Sequence, residues 1–585
     1  MRSVLARRCL WALAFAVTLL TLLAIAPQMF AQGGEPEYFA IRGAKIVPVS
    51  GPPLEDATVV MAHGVITAIG KDVAIPPDAW VIEGKGLTVY PGLFDSFTDV
   101  GISAAPAGPG GGSEGGPHRP QPQEISRGPE DRPGTAPWRS AADEVNLSDK
   151  RIESWREAGF TTVVSAPKGG MLPGQASVLD LAGDRASKLV VKTPVAIPVS
   201  LVPSGGFANF PGSLMGALSY VHQVWIDTNW STQAQAIYEK HPRGMPRPRY
   251  DRTEAVLGEA FEDHMVVLIP ANNSVQLRRA LELVDVWRLA DVWKAEGVIY
   301  GGQMAYEVAD EIGAKKMPVL VDLKWPEAEK DADPDEKPSL RTLRFRDKAP
   351  SSPAALAKAG VPFAFYSGGI TSSKDILKAV KKSIDAGLAP DAALRALTLS
   401  PAEIYGVEGR LGSIETGKIA NLVVTDGDLF AEKTKIKLVF VDGKRFEIHE
   451  PPKPKDPPKG SLAGKWKLAY TTPDGPEEST LDLDMASDGT LSGTTTSTRG
   501  TATIISGYLS GDKFNFTINI PIQGNPTDVV FSGTLDGSSL KGTIDVMGYS
   551  IDFTGTKPTA GAAAAAGSAI HSRTSDDSAV SGGAL

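Results

Sequence analysis

The chain has 585 residues, a formal net charge of −9, seven histidines and a single cysteine. An acidic chain of this kind lacks the electrostatic footprint of a nucleic-acid binder, and one cysteine rules out a disulfide framework or a cluster of thiolate metal ligands. At the N-terminus, MRSVLARRCLWALAFAVTLLTLLAIAPQMFAQG sets Arg2, Arg7 and Arg8 before an apolar run from Cys9 to about Ala26. This pattern predicts a secretory signal peptide over residues 1–31, cleaved after Ala31. The mature chain is then periplasmic or secreted, and losing the three arginines takes its charge from −9 to −12. The run approaches the ~20 residues of a membrane span, so a retained anchor is the competing reading. Cys9 opens the apolar run rather than following it, which is the wrong place for lipid attachment.

Short β-rich runs punctuated by glycine come next: FAIRGAKIVPVSG, ATVVMAHGVITAIGK and WVIEGKGLTVYPG. The texture returns in LGSIETGKIANLVVTDGDLF and IKLVFVDGKRFEI, so residues 37–90 and 406–449 are expected to build one discontinuous β-sandwich domain. Between them, over residues 91–405, apolar runs alternate with amphipathic stretches. The runs are FTTVVSAP, ASVLDLAG, TPVAIPVSLV, MVVLIPANN, GVIYGG, MPVLVDLKWP and VPFAFYSGG, and SVQLRRALELVDVWRLADVWKAEG is among the clearest helices. Continuous apolar runs suit strands buried on both faces, hence a parallel sheet covered by helices. With the run ending at Phe94 the count is about eight, that of a TIM-like (β/α)8 barrel in an α/β fold, although ASVLDLAG also reads as a hairpin.

Residues 105–137 are rich in glycine and proline and predict a flexible loop at the rim of the barrel mouth. EPPKPKDPPKG, residues 450–460, predicts a stiff linker. Residues 461–557 then hold about eight short alternating strands in which LSGT, FSGT, LKGT and FTGT recur, the pattern of an antiparallel β-barrel module. Residues 558–585 read as a disordered tail.

YPGLFD, GFTTVV, IYGGQMAYEVADE and LTLSPAEIYGVEGRLGSIETGKIANLVV together resemble the amidohydrolase superfamily, in particular its secreted imidazolonepropionase-like members, over roughly Tyr38 to Ile448. The C-terminal module resembles lipocalin-like domains attached to secreted bacterial enzymes. Asn421 stands where the family usually has aspartate. The resemblance implies a hydrolase of carbon–nitrogen bonds with zinc or a similar divalent metal at the barrel mouth. Its ligands would be Asp-x-His-x-His on the first strand, histidines on the fifth and sixth and an aspartate on the eighth, with a carboxylated lysine on the fourth in some members. Here Phe97 and Asp99 hold the first pair of histidine positions, Pro270 the fifth-strand position, Gln303 the sixth and Gly368 the eighth. The fourth strand has no interior lysine, and Lys192 lies at its wrong end. A hydrolytic zinc needs about three ligands and an open position for water. Phe97, Pro270 and Gly368 have no side-chain donor, and Asp99 with the Gln303 carbonyl is a poor set even for a hard cation. No metal and no other cofactor is therefore expected.

For metal-free chemistry or binding, the groups expected near the strand ends are Asp95, Asp99, Lys168, Asp322, Lys324 and Ser367, with Asn272 and Gln303 beside them. Each also has a structural reading: Asp95 braces the first loop, Lys168 and Lys324 end solvated loops, and Ser367 caps the next helix. SGGITSSKD after Tyr366 offers backbone N–H groups and a helix start as an anion seat. His222 and His264 read as packing or surface residues. The candidate ligand site is thus Asp99, Lys168, Asn272, Gln303, Lys324 and Ser367. The leading reading is a metal-free pseudoenzyme binding a small molecule or peptide at the barrel mouth, with no nucleic-acid partner, no membrane contact after signal cleavage, and a homo-oligomer left open. One alternative is a working hydrolase of cyclic, linear or dipeptide-like amides with an atypical site. Another makes the C-terminal module the binding part and the barrel a scaffold; equally, that module protects or orients the main domain.

Overall fold

The computed structural model describes residues 38–102, 132, 134–202, 211–263, 265–289, 296–328, 337–448 and 456–557, the last without 473–474, 498–499, 523–524 and 547–548. The predicted signal peptide, residues 105–131 of the predicted loop, His264, residues 450–455 of the linker and the tail lie outside the described residues. The chain divides into two units, one ending at Ile448 and the other beginning at His449. Among the described residues no helix is long and apolar enough to cross a membrane.

The first unit opens with β1 (Tyr38–Ile46), β2 (Leu54–Ala62), β3 (Val65–Gly70), β4 (Trp80–Glu83) and β5 (Thr88–Pro91). The chain then enters the central sheet through β6 (Leu93–Thr98), β7 (Phe160–Ser165), β8 (Ala176–Asp180), β9 (Val190–Pro198), β10 (Val266–Ala271), β11 (Gly297–Gly301), β12 (Val319–Asp322) and β13 (Phe363–Tyr366). It returns to the small domain with β14 (Leu422–Thr425), β15 (Ile436–Val441) and β16 (Lys444–Glu447). The two outer segments join where β5 pairs antiparallel with β14, Pro91 opposite Leu422. They make one sheet, ordered β16-β15-β14-β5-β1-β2-β3 with β4 on β1. Val65 at the start of β3 bridges Ile419 just ahead of β14, so this sheet curls around a core that includes Ile41, Val59, Val89, Leu422 and Phe440.

The central sheet runs β6 to β13 in chain order. Its alternation sorts the side chains: Phe94, Val164, Leu268, Val298, Leu320 and Ala364 share the inner cluster, while Leu93, Val163, Val267, Ile299, Val319 and Phe363 pack in the outer one with the surrounding helices. Ser96 on β6 donates its hydroxyl to Phe365 O on β13 at 2.6 Å, which ties the first strand to the last. The all-parallel expectation is corrected at β8, which is antiparallel to both β7 and β9. The reason is connection length, because a parallel return needs a crossover of a dozen residues or more, usually a helix. The links on either side of β8 hold only turns and the four-residue helix Ala186–Leu189. ASVLDLAG is therefore a barrel strand and a hairpin arm at once.

At the foot of the barrel a polar cluster fastens it to the small sheet. Asp180 is buried and accepts from Thr162 Oγ1 at 2.8 Å and Asn421 Nδ2 at 3.0 Å. Asn421 in turn accepts from the Asp442 backbone N–H at 2.7 Å.

The second unit is a closed antiparallel barrel, β17 (Gly464–Thr472), β18 (Gly475–Met485), β19 (Leu491–Ser497), β20 (Gly500–Ser510), β21 (Lys513–Ile522), β22 (Asn525–Asp536), β23 (Ser539–Val546) and β24 (Tyr549–Thr556), with β24 back on β17. The recurring Ser/Lys-Gly-Thr motif has a steric cause. A Cβ on Gly493 or Gly542 would stand 2.0 Å from a carbonyl oxygen of the neighbouring strand, so glycine lets the backbones close up where the sheet bends. Trp466, Phe514, Phe516, Phe531 and Phe553 fill the interior, the Phe516 and Phe531 rings stacked 4.6 Å apart.

Expressed alone, residues 456–557 are expected to melt in one cooperative transition by circular dichroism. Phe531→Ala should lower the stability of that fragment by about 3–5 kcal/mol in urea titration, the usual cost of deleting a core aromatic ring. A featureless melt of the fragment would show that the core does not form without the first unit.

Candidate functional site

Barrel strands of this type deliver their functional groups at their carboxyl ends, and in this chain those ends carry Phe97, Asp99, Tyr300, Gln303, Asp322, Tyr366 and Ser367. The deepest group is Asp95 on β6, with 1% of its surface exposed. Its Oδ1 accepts from the Ser367 backbone N–H at 2.9 Å and its Oδ2 from Trp155 Nε1 at 2.9 Å. Burial pushes this carboxyl above the ordinary range, while the bonds from Trp155 and Ser367 pull the other way. Asp95 therefore braces the seam between β6 and β13. Ser367 serves the same brace, and the helix Ser373–Asp385 begins after Ser372, so the capping expectation for Ser367 is corrected.

Asp99 lies just past the end of β6, at the rim. Lys168 reaches it at 2.7 Å and Arg151 at 2.9 Å. Burial works to raise its pKa, but Lys168 and Arg151 outweigh that and hold the carboxylate below its usual range. Lys168 is otherwise open to solvent, 72% exposed. Asn272 is brought to neither group: its backbone N–H donates to Gln276 Oε1 at 2.9 Å, part of the turn that starts the helix Ser274–Leu289. Gln303 is a strut, its Nε2 donating to Lys324 O at 2.7 Å and its own carbonyl accepting from Ser352 Oγ at 2.8 Å. Lys324 contributes backbone groups here and keeps an exposed side chain.

The centre of the mouth is made by residues outside the predicted ligand set. Asp322, at the end of β12, accepts from the Lys324 backbone N–H at 2.8 Å and is hydrogen-bonded by the Tyr366 hydroxyl. Burial raises its pKa to about 7, with the nearby Asp95 charge adding to the rise. Tyr366 belongs to a cluster of three rings: Phe97 lies 5.0 Å from Tyr300 and 5.8 Å from Tyr366, centroid to centroid. Tyr300 donates its hydroxyl to Val199 O at 2.8 Å. The sequence signal for the tyrosines is the shared texture of GVIYGG and FAFYSGG, where an apolar run reaches tyrosine shortly before paired glycines.

The metal that the family resemblance implies does not fit this donor set. An ideal Cβ on Gly368 would lie 1.6 Å from Asp322 Oδ1, so the Asp322 carboxylate fills the space that an eighth-strand ligand side chain would need. Phe97 and Pro270 bring no side-chain lone pairs, Asp99 is committed to two cations, and Gln303, whose Nε2 donates to Lys324 O, offers only a neutral amide oxygen. Among the described residues no three His, Cys, Asp or Glu side chains gather as a metal-binding group.

Two outcomes follow for stability. Gly368→Asp should destabilise the protein by about 1–3 kcal/mol through overpacking, with roughly 1–2 kcal/mol more for a side chain in the left-handed region, where Gly368 has φ +59°. Gly368→Asp combined with Asp322→Ala should recover much of the overpacking loss, and equal melting points for single and double variants would show that the two side chains do not compete for one space. The second outcome concerns pH. Asp180 is raised to about 7 by burial, with the charge of Asp442 adding to the rise and Thr162 and Asn421 opposing it. A carboxyl raised on folding stabilises the native state while protonated, so that contribution is complete below about pH 4 and fades as pH climbs toward 7. Unfolding free energies from urea titration should fall between pH 5 and pH 8 by an amount on the order of a few kcal/mol, and Asp180→Asn should flatten that slope.

The comparisons agree with this fold. The amidohydrolase family model matches residues 250–446. Adenine deaminase 3 of Rhizobium meliloti (strain 1021) is 39% identical over 79 residues, which are 14% of this chain and 13% of that enzyme's length. The crystal structure of an amidohydrolase from Thermotoga maritima MSB8 matches with a TM-score of 0.57 at 22% identity, covering 70% of this chain and 100% of that one. The family model thus covers about a third of the chain, and the barrel with its flanking sheet is similar in fold to that amidohydrolase.

Proposed function

We propose that this protein is an exported amidohydrolase-superfamily member that binds a small molecule or peptide at the barrel mouth and has given up the hydrolytic metal. The observation that carries the proposal is the filled ligand position: Asp322 Oδ1 stands 1.6 Å from where a Cβ on residue 368 would be. Phe97 and Pro270, without donors, complete the deficit. Export rests on the basic and apolar N-terminus, and a mature chain in the periplasm or outside the cell follows from it. Binding is assigned to the first unit because aromatic side chains pack the interior of the C-terminal barrel.

One observation favours a second reading. The stretch that matches adenine deaminase 3 is similar to part of an enzyme, and a hydrolase of carbon–nitrogen bonds with an atypical site is the alternative it supports. One experiment separates the two. The purified full chain is dialysed without chelator, its transition metals are quantified, and it is assayed against adenine, cyclic amides and dipeptides. The binding reading expects well under one metal ion per chain and no turnover. About one tightly held ion per chain, removed by chelator together with hydrolysis, would replace it with the enzyme reading.

A further inference from the structure

The mouth that lacks a metal site is built for positive charge of another kind. We propose that it takes an organic cation, an ammonium or amidinium group on an apolar body, with Asp322 as counter-ion and Phe97, Tyr300 and Tyr366 as the ring wall. The proposal deepens the binding function above and rests on it.

Asp99, at the rim, already has Lys168 and Arg151. The hydrogen-bond donors to Asp322 are neutral, the Lys324 backbone N–H and the Tyr366 hydroxyl; the Lys324 ammonium attracts it through space, but among the described residues no lysine or arginine forms an ion pair with it. A carboxylate can accept about four hydrogen bonds, so acceptor capacity remains on a group that is only partly exposed. Asp322 is thus a partly exposed carboxyl with no cation in contact, whereas Asp99 has two.

Phe97, Tyr300 and Tyr366 form one cluster, with Tyr300 and Tyr366 6.4 Å apart and both packed on Phe97. Phe97 and Tyr300 are partly exposed. Both tyrosine hydroxyls are used internally, Tyr300 on Val199 O and Tyr366 on Asp322. What the cluster offers a ligand is ring surface rather than hydroxyl donors, and aromatic faces attract cations. An anion would meet Asp322, with Asp95 beneath it. A neutral polar ligand would find few free donors. A metal ion would find too few strong ligands. An organic cation is the class for which both the carboxylate and the ring faces are favourable.

The test uses the full mature chain and a panel of small probes of matched shape. Benzamidinium, benzylammonium and a straight-chain diamine supply the cation; benzamide, benzyl alcohol and benzoate are their neutral and anionic counterparts. Ligand-observed NMR and calorimetry should show the cations binding at least tenfold more tightly than benzamide, with benzoate excluded. Asp322→Asn should weaken cation binding at least tenfold while the free protein melts no lower, and Phe97→Leu should weaken it by a smaller factor. Equal binding of benzamidinium and benzamide, unchanged binding in Asp322→Asn, or no cation bound at millimolar concentration would each overturn the proposal. Binding of a neutral or anionic probe that is lost in Phe97→Leu would overturn the cation assignment while leaving the mouth as a binding site, and the metal analysis above decides the pseudoenzyme reading on its own.

Discussion

The first unit depends on one buried carboxylate. Asp95 takes Trp155 Nε1 from the helix Arg151–Glu157 on one oxygen and the Ser367 backbone N–H from beyond β13 on the other. A single side chain thereby joins the first strand, the last strand and the helical layer at the place where a barrel must close. A buried acceptor with both oxygens engaged is costly to disturb, because removing either partner strands a polar group away from water. Tyr405 reinforces the same strand from below by donating its hydroxyl to Ser96 O at 2.7 Å. The VYPGLFDS segment thus has structural work that owes nothing to a metal: Val89 and Tyr90 pair with Val424 and Val423, Phe94 enters the barrel core, and Asp95 with Ser96 holds the seam.

With the seam fixed, the rest of the mouth is free to change character. Positions where the family places imidazole and carboxylate ligands carry here a ring, a proline, an amide strut and a glycine. The vacated volume is not left empty. Phe97 packs on Tyr300 and Tyr366, and the Asp322 carboxylate leans into the space over Gly368. Close packing explains why such changes come as a set, since each void forfeits contacts on every side chain that lines it. Fold and chemistry are separable for the same reason: the seam and the sheet require Asp95 and the apolar alternation, and the reacting groups are additions to them.

Much of this was legible in the sequence, and the limits are physical. Strand positions in both barrels could be read because alternation and glycine punctuation are local signals. The direction of β8 was not, since it depends on what a short connection can span rather than on the strand's own residues. The donor deficit at Phe97, Pro270 and Gly368 needed only residue identities. What replaced the donors did not show, because Asp322 reaches Gly368 across two neighbouring strands and no spacing rule marks such a contact. Gln303 and Ser367 lie at the strand ends as struts through main-chain groups, Gln303 donating to Lys324 O and the Ser367 N–H donating to Asp95, and main-chain partnerships of this kind are invisible in a list of side chains.

The foot of the barrel repeats the logic of the mouth. Asn421 stands where the family usually has aspartate, directly against Asp180. An ionised aspartate there would be acceptor-only and would set two carboxylates side by side in a buried site, which pushes one of them to hold a proton. The amide resolves the conflict: Nδ2 donates to Asp180 at 3.0 Å and to Thr162 at 3.2 Å, while Oδ1 accepts from the Asp442 backbone. At the foot, then, the acid sits on β8 rather than ahead of β14; at the mouth it sits on β12 rather than after β13. In both places a carboxylate stands beside a position whose residue does not compete with it, an amide in one case and a glycine in the other. An arrangement of this kind keeps the buried hydrogen bonds satisfied, which is what folding requires, but it does not supply the convergence of lone pairs on one point that a metal requires.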